Sequence, residues 1–411
     1  MTAQTNTVTP ATTAESQGLD VVGYHDLNAN PAFKTAMQEV GGRWYLYLSH
    51  FWVNGWSVVD VTDPASPQYL RFIEGPKHTW TLQVQVADGK MITALERPSP
   101  GWGHDETKTK QTGVQIWDVA TDPGDPRLLS YYDTTGRGTH RNHYSGGRYA
   151  YLASQPEGFV GNILIVLDLD DPINPTEAGR WWWPGQWAAG GETAEFQHYL
   201  HGPAYVVGDL AYLSDGGPGM VILDISDPTA PQMVGRTSFG DFGSRVGCHT
   251  AVLYGSHIVV ANSEALAEEG KESLGFAVTI DVSDPTVPRI LGWLPTPQPS
   301  PETGFNNYAE KGGRFGPHNQ HHHQGQACLL EDPNKVYLTY FNAGLRIFDI
   351  SDPRRPTETA YWVPEDPVER RGAKPEGKLV TQTEDVIVDS RGYIYCTDKN
   401  HGLFVLRETD R

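Results

Sequence analysis

One phrase recurs through the chain and restricts what it can become. It reads WSVVDVTDPASPQYLRF from Trp56, VQIWDVATDPGDPRLLSYY from Val114 and ILIVLDLDDPINPTEAGRW from Ile163. It returns as MVILDISDPTAPQMVGR from Met220, AVTIDVSDPTVPRILGW from Ala277 and LRIFDISDPRRPTETAYW from Leu345. The marker aspartates are Asp60, Asp118, Asp168, Asp224, Asp281 and Asp349, 50 to 68 residues apart. A period of this size signals a repeat architecture, in which each unit needs its neighbours to bury its apolar faces.

Every unit has the same grammar. A tight turn such as Gly41-Gly42-Arg43, Ala87-Asp88-Gly89 or Gly146-Gly147-Arg148 follows a first strand. A Tyr-rich second strand comes next (YLYLS, YAYLA, AYLSD, VYLTY), then a variable loop, then the strand that ends in the marker Asp. The Asp-Pro-x-x-Pro turn returns a fourth strand: Asp can accept its own backbone N–H two residues on, and Pro presets φ. The repeated Asp therefore reads as turn chemistry and not as a set of acidic catalysts. The last unit, GLFVLRETD, lacks its fourth strand, and the N-terminal LDVVGYHDL over 19–27 resembles the fourth strands PQMVGRT and PRILGWL. The expectation is an all-β chain: a seven-bladed β-propeller closed by an N-terminal outer strand, a device that removes exposed sheet edges. Residues 1–18 are expected to form a disordered lead, and 19–411 a single propeller domain.

The ILDISDPTAP and IFDISDPRRP phrases resemble the LVIVD-repeat proteins, a family of predicted β-propellers, and the likeness extends over nearly the whole chain after the lead. The resemblance implies the fold. It does not imply an activity, because one fold hosts many functions.

Composition narrows the partners. The net charge is −19 with no Lys/Arg run, which argues against nucleic acid and anionic membrane and leaves a small-molecule substrate. No apolar run reaches the length of a membrane-spanning helix. The N-terminus lacks a basic start and an apolar stretch, and three cysteines are too few and too odd for a disulfide framework; a cytoplasmic location is expected.

In a propeller the first strand of each blade lines the central channel and starts at the face that carries the long loops. Here the long stretches 101–111, 184–197 and 301–317 fall on that face and are of a length that usually serves a function. Histidine heads five successive inner strands: His78 in blade two, His140 and His143 in blade three, His198 and His201 in blade four, His249 in blade five. Blade six opens with GRFGPHNQHHHQGQ, which holds His318, His321, His322 and His323. Ten of the 15 histidines thus point at one end of one channel, which suits a transition metal ion: iron, copper, manganese or zinc. The metal-ligand pool is His78, His140, His201, His249, His318, His321 and His323. Strand alternation predicts that His322 faces away if His321 and His323 face inward. His198 is expected behind the ligands or as a proton carrier. Glu192 and Glu195, in the Gly-rich loop before His198, are candidate general bases. Arg141 is a candidate anchor for an anionic substrate, and Glu384 and Asp385 could complete the coordination. Trp80, Trp102, Trp187, Phe196, Phe305 and Tyr308 are candidates for an apolar pocket wall. Cys248 reads as a small buried hydrophobe.

These residues point first to a metal-dependent oxidoreductase or oxygenase acting on a small organic molecule, aromatic ones included. A lyase or hydrolase that uses the ion as a Lewis acid is the second reading, and a non-enzymatic interaction platform the third.

Overall fold

The computed structural model describes residues 13–409 apart from 101, 104, 109, 241, 243 and 274. Seven four-stranded antiparallel sheets are arranged as the blades of a β-propeller. Blade one occupies 32–74, blade two 84–132, blade three 138–181, blade four 204–237 and blade five 246–293. Blade seven is made of Thr383–Val388, Tyr393–Asp398, Gly402–Glu408 and, outermost, Leu19–His25. The N-terminal segment therefore closes the ring, as the missing fourth strand of the last repeat requires.

Blade six departs from the rule in two ways. Its inner line is the histidine-rich stretch itself, held to the second strand by His318 N–H to Thr339 O (2.8 Å), Thr339 N–H to Asn319 O (3.0 Å) and His321 N–H to Tyr337 O (3.0 Å). Its outer edge gains an extra strand, Thr13–Gln17, paired with Thr357–Pro364. The expected disordered lead 1–18 is thus corrected at Thr13–Gln17. Gly18 then turns the chain from blade six to blade seven, so one segment covers two outer edges; residues 1–12 lie outside the described residues.

The repeat phrase acts as turn chemistry. Each marker Asp accepts the backbone N–H two residues on, at 2.7–2.9 Å, from Thr62, Ala120, Asp170, Ser226, Ser283 and Ser351. The turns also lock blade to blade. Gly235, in the fourth strand of blade four, faces the Pro285 carbonyl of the next blade's turn, and a Cβ there would stand 2.0 Å from that oxygen. Gly23 faces Pro64 O in the same way, again at 2.0 Å, so the closing strand seats on blade one as any other blade seats on its neighbour. Apolar packing follows this geometry. Met37, Leu46, Leu48 and Val59 of blade one pack on Ile387, Tyr395, Leu403 and Val405 of blade seven as one buried cluster. Burial of this kind contributes roughly 25 cal/mol per Å² of apolar surface.

Candidate metal centre

The inner strands do not run straight into the channel mouth. In blade one the pairing of Ala32 with His50 is followed by that of Thr35 with Leu48, so one extra residue is inserted on the inner side. Blade three does the same between Thr139 and Asn142, blade seven between Thr383 and Asp385, and blade five inserts two between Val246 and Thr250. Bulges re-aim side chains and break strict alternation. The residues they carry are Phe33, Lys34, His140, Arg141, His249 and Glu384; of these Phe33, His140, Arg141 and His249 line the candidate site.

Four imidazoles from four successive blades form an arc. Ring centroids are 4.6 Å apart for His140 and His201, 4.7 Å for His201 and His249, and 4.7 Å for His249 and His318. The Nε2 atoms face inward: His140 Nε2 lies 3.2 Å from His201 Nε2, and both His201 Nε2 and His249 Nε2 lie 3.6 Å from Glu264 Oε2. His318 Nε2 is 3.8 Å from Glu264 Oε1. Donor atoms that share one tetrahedral ion at about 2.1 Å stand about 3.4 Å apart, and the donor atoms of His201, His249 and Glu264 all lie within 4.8 Å of one another, near enough to close on a common ion. Glu264 Oε2 is buried and without a hydrogen-bond partner among the described residues. A buried, unsatisfied carboxylate oxygen is costly unless a cation or proton meets it.

The outward nitrogens of His140, His249 and His318 are engaged. His140 Nδ1 is 2.6 Å from Glu96 Oε2, and Glu96 is held in turn by Arg137 Nε at 2.8 Å. His249 Nδ1 meets Thr250 Oγ1 at 2.8 Å and His318 O at 3.1 Å. His318 Nδ1 lies 2.7 Å from Glu384 O. For His140 and His318 the acceptor on the Nδ1 side holds the proton there and leaves Nε2 toward the cavity, the arrangement seen behind metal-bound histidines; His249 is also approached by Arg141 Nη1, 3.3 Å from Nδ1 and 3.4 Å from Nε2. Burial, reinforced by the Arg141 guanidinium, depresses the pKa values of His201, His249 and His318 well below the usual imidazole range, so all three are neutral. Burial would raise Glu96, but His140 and Arg137 outweigh it and hold its carboxyl low.

These groups open into a cavity of about 440 Å³. The wall opposite the arc, from blades one and two, is apolar: Phe33, Phe51, Trp80 and Leu82 are buried together, with Trp52 and Trp102 stacked beside them at 5.4 Å. Trp80 and Trp102 are therefore wall residues, and part of the 101–111 loop forms the rim.

Other expected residues lie elsewhere. His78 is corrected: it sits exposed in a left-handed turn (φ 60°) before blade two and does not reach the cavity. His321 does not reach it either. Its ring nitrogens are used by Leu330 O (2.8 Å) and the Val388 N–H (3.1 Å), which tie blade six to blade seven. His323 is half-buried further down the channel, with Nδ1 accepting the Gly325 N–H at 3.1 Å. The parity expected from alternation is reversed: His322 turns into the channel and packs on Tyr205, while His321, equally buried, is held between the blades. Glu192 accepts the backbone N–H groups of Gly185 (2.8 Å) and Trp187 (3.1 Å) and so staples its own loop. Glu195 is exposed and outside the cavity lining. Arg141 is buried on the cavity floor, where it donates to Gly202 O, His249 O, Thr250 Oγ1 (3.2 Å) and Asn319 Oδ1 (2.8 Å); it ties four blades together. His198 is half-buried and lines the cavity. Glu384 sits behind His318, whereas Asp385 is taken by Lys34 (2.8 Å) and Thr35. Trp187 is exposed, Phe196 packs on Trp183 and Tyr199, and Phe305 and Tyr308 pack into the interface of blades five and six. Cys248 is fully buried, as expected of a small hydrophobe.

Sequence reasoning missed Glu96, Glu264 and Arg314, whose guanidinium pairs with Glu264 Oε1. A register signal for the two carboxylates exists. The second-strand residues paired with the marker Asp include Lys90 and Ile258, and six positions on from each stands a glutamate, Glu96 and Glu264. The same offset in blades one, three and six gives Phe51, Gln155 and Phe341: the first two line the cavity, and the third stacks on His318.

The chain carries LVIVD repeats: a family model of that description matches residues 44–71, 205–238 and 334–361. No curated protein sequence matches it. Among solved structures it is similar to a periplasmic gluconolactonase of Pseudomonas aeruginosa (TM-score 0.56, 12% identity, 88% of this chain and 93% of that one). It is also similar to the β-propeller domain of Cps50 (Swd1) from Myceliophteria thermophila (0.53, 9%, 98% and 100%). A third likeness is to a hypothetical selenium-binding protein of Sulfolobus tokodaii (0.52, 13%, 90% and 82%). At these identities the likeness is one of fold. Among the described residues no helix is long and apolar enough to cross a membrane.

Proposed function

We propose that this LVIVD-repeat propeller is a metal-dependent oxidoreductase. In this reading a transition ion is held at the channel mouth by His201, His249 and Glu264, with His140 and His318 flanking. The observation that carries the reading is the convergence of two neutral Nε2 atoms on a buried carboxylate oxygen that has no other partner. Two imidazoles and one carboxylate with positions left open favour iron among the iron, copper, manganese and zinc options, and such an ion supplies open sites for dioxygen or substrate and one-electron chemistry. The residues of the chain do the rest. Glu96 and Arg137 fix the ring of His140. The aromatic wall of Phe51, Trp80 and Trp102 stacks a flat, apolar molecule and excludes water from it. A small aromatic or otherwise planar substrate fits this division into one apolar and one polar wall.

One residue favours the non-redox alternative, a lyase or hydrolase. His198 lines the cavity with no ring hydrogen bond among the described residues, placed as a proton carrier. Three unpaired thiols and a net charge of −19 support a cytoplasmic enzyme of small molecules, without nucleic acid or membrane as partner.

The test is elemental analysis of untagged protein, spectroscopy of the bound ion, and turnover on a panel of planar aromatic substrates. His201→Ala and His249→Ala should each lose the mouth ion and turnover while keeping the fold. Full activity in a chelated, metal-free sample would sink the proposal.

A further inference from the structure

A second histidine pair lies deeper in the channel and is used by nothing above. His143 and His322 come from the inner lines of blades three and six, facing each other across the channel. His143 is 0% and His322 5% exposed, and all four of their ring nitrogens are without a hydrogen-bond partner among the described residues. Their ring centroids are 5.7 Å apart, and Tyr205 packs against both, at 5.4 Å from His143 and 4.3 Å from His322. His323 follows, with its ring 5.1 Å from that of His322 and only Nδ1 engaged. At a rise of about 3.3 Å per residue, three residues separate His143 from His140 and four separate His322 from His318, so the pair lies roughly 10–13 Å below the mouth.

From this geometry we propose that His143 and His322 bind a monovalent copper ion between their rings. The distance fits. With metal–nitrogen bonds of about 2.0 Å, two rings on one ion have centres up to about 6.2 Å apart, and 5.7 Å corresponds to a bond angle of roughly 130–135°. The charge fits as well. The donors are neutral imidazoles, and Tyr205, its pKa pushed up to about 12 chiefly by burial, remains a phenol. The strongest charged neighbours of His322 are other histidines and Lys34, while the carboxylate of Asp385 is occupied by Lys34 and Thr35. A doubly charged ion buried among neutral donors would be left uncompensated, and zinc seeks four ligands. A soft ion of single charge that accepts as few as two imidazoles meets both limits. The inference does not rest on the reading of the mouth site, because the two sites share no residue.

The test uses the full untagged chain, titrated anaerobically with Cu⁺ against a chromophoric Cu⁺ chelator. The wild type and the His249→Ala variant should both hold one tightly bound copper equivalent that His143→Gln and His322→Gln lose, with far-ultraviolet circular dichroism unchanged. On the unaltered protein, crystals grown with Cu⁺ should give an anomalous peak between His143 and His322, which keeps the test decisive if the variants do not fold. The proposal is overturned if wild type and both variants retain equal copper, if no peak lies between the two rings, or if equimolar Zn²⁺ displaces the ion.

Discussion

Glu264→Gln separates a ligand from a counter-ion. The two oxygens of Glu264 have different surroundings. Oε1 is paired with Arg314, whose guanidinium also donates to Ala265 O (2.9 Å) and lies over the Phe341 ring at 3.9 Å. Oε2 faces only His201 and His249, at 3.6 Å each. Glutamine keeps an oxygen for Arg314 and removes the charge, so a charge-assisted hydrogen bond of about 1.5–3 kcal/mol becomes a neutral-acceptor one, a loss of about 1–2 kcal/mol. For a chain of this length the unfolding entropy is roughly 0.8 kcal/mol/K, so the melting temperature of metal-free protein should fall by only about 1–3 °C. Metal affinity should fall far more. Removing a group that merely orients a ligand costs about 10–100-fold, so losing an anionic ligand should cost at least about 100-fold, near 2.7 kcal/mol. Calorimetry of the metal-free protein gives the first number, and chelator competition gives the second. Glu264→Ala, which strands a buried Arg314, should cost about 3–5 kcal/mol of stability; adding Arg314→Met should recover most of that and none of the metal affinity. If Glu264→Gln binds metal as the wild type does, Glu264 is only the partner of Arg314 and the ligand assignment fails.

Two further outcomes follow from groups outside the proposed ligand set. Gly23→Ala should destabilise the ring by about 1–3 kcal/mol, as Gly235→Ala should, because each new methyl meets a turn carbonyl of the next blade; a Gly23→Ala protein that melts like the wild type would show that blade seven does not seat on blade one this way. Asp215 is fully buried with both oxygens unpartnered, and burial, opposed by Arg236, pushes its carboxyl up to about 8. Its folded pKa thus lies above the unfolded value of about 3.9, so the folded state binds the extra proton between these limits and stability is lost as pH rises from about 4 to about 8. Asp215→Asn should therefore gain on the wild type in thermal melts toward pH 8, and parallel melting curves across that range would count against the assignment.

The fold was legible because its signals are local. The turn Asp accepts an N–H two residues away, the aromatic second strand alternates, and the segment over 19–27 carries the pattern of the other fourth strands, which it supplies to blade seven. The arc of His140, His201 and His249 was legible for a related reason, since all three stand near the start of an inner strand. Within HNQHHHQ the choice failed. Alternation takes regular pairing for granted, whereas this segment runs beside its second strand through a few bonds around Thr339 and Tyr337. His318, near the mouth, joins the arc; His321 turns sideways between blades, and His322 inward. Glu96 escaped notice because it acts on a histidine of the next blade, and Glu264 because it joins His249 of its own blade to His201 and His318 of the neighbouring ones; a sequence displays such lateral neighbours only through repeat register.

The asymmetry of the mouth follows from the same construction. Closure fixes seven inner strands around one axis, and in blades one, three, five and seven a bulge helps decide which side chains reach the rim. Blades three to six bring imidazoles, while blades one and two bring Phe33, Phe51, Trp80 and Leu82. The bulges interrupt the ladder between inner and second strands, and a strand that surrenders such bonds must recover them from side chains. Ser49, Thr139, Arg141 and Thr250 do so: they bond the carbonyls of Leu82, Gly113, Gly202 and His318 on neighbouring strands. The distortion that aims the histidines is therefore held from blade to blade around the ring, and the imidazole arc is set in place by the scaffold before any ion or substrate arrives.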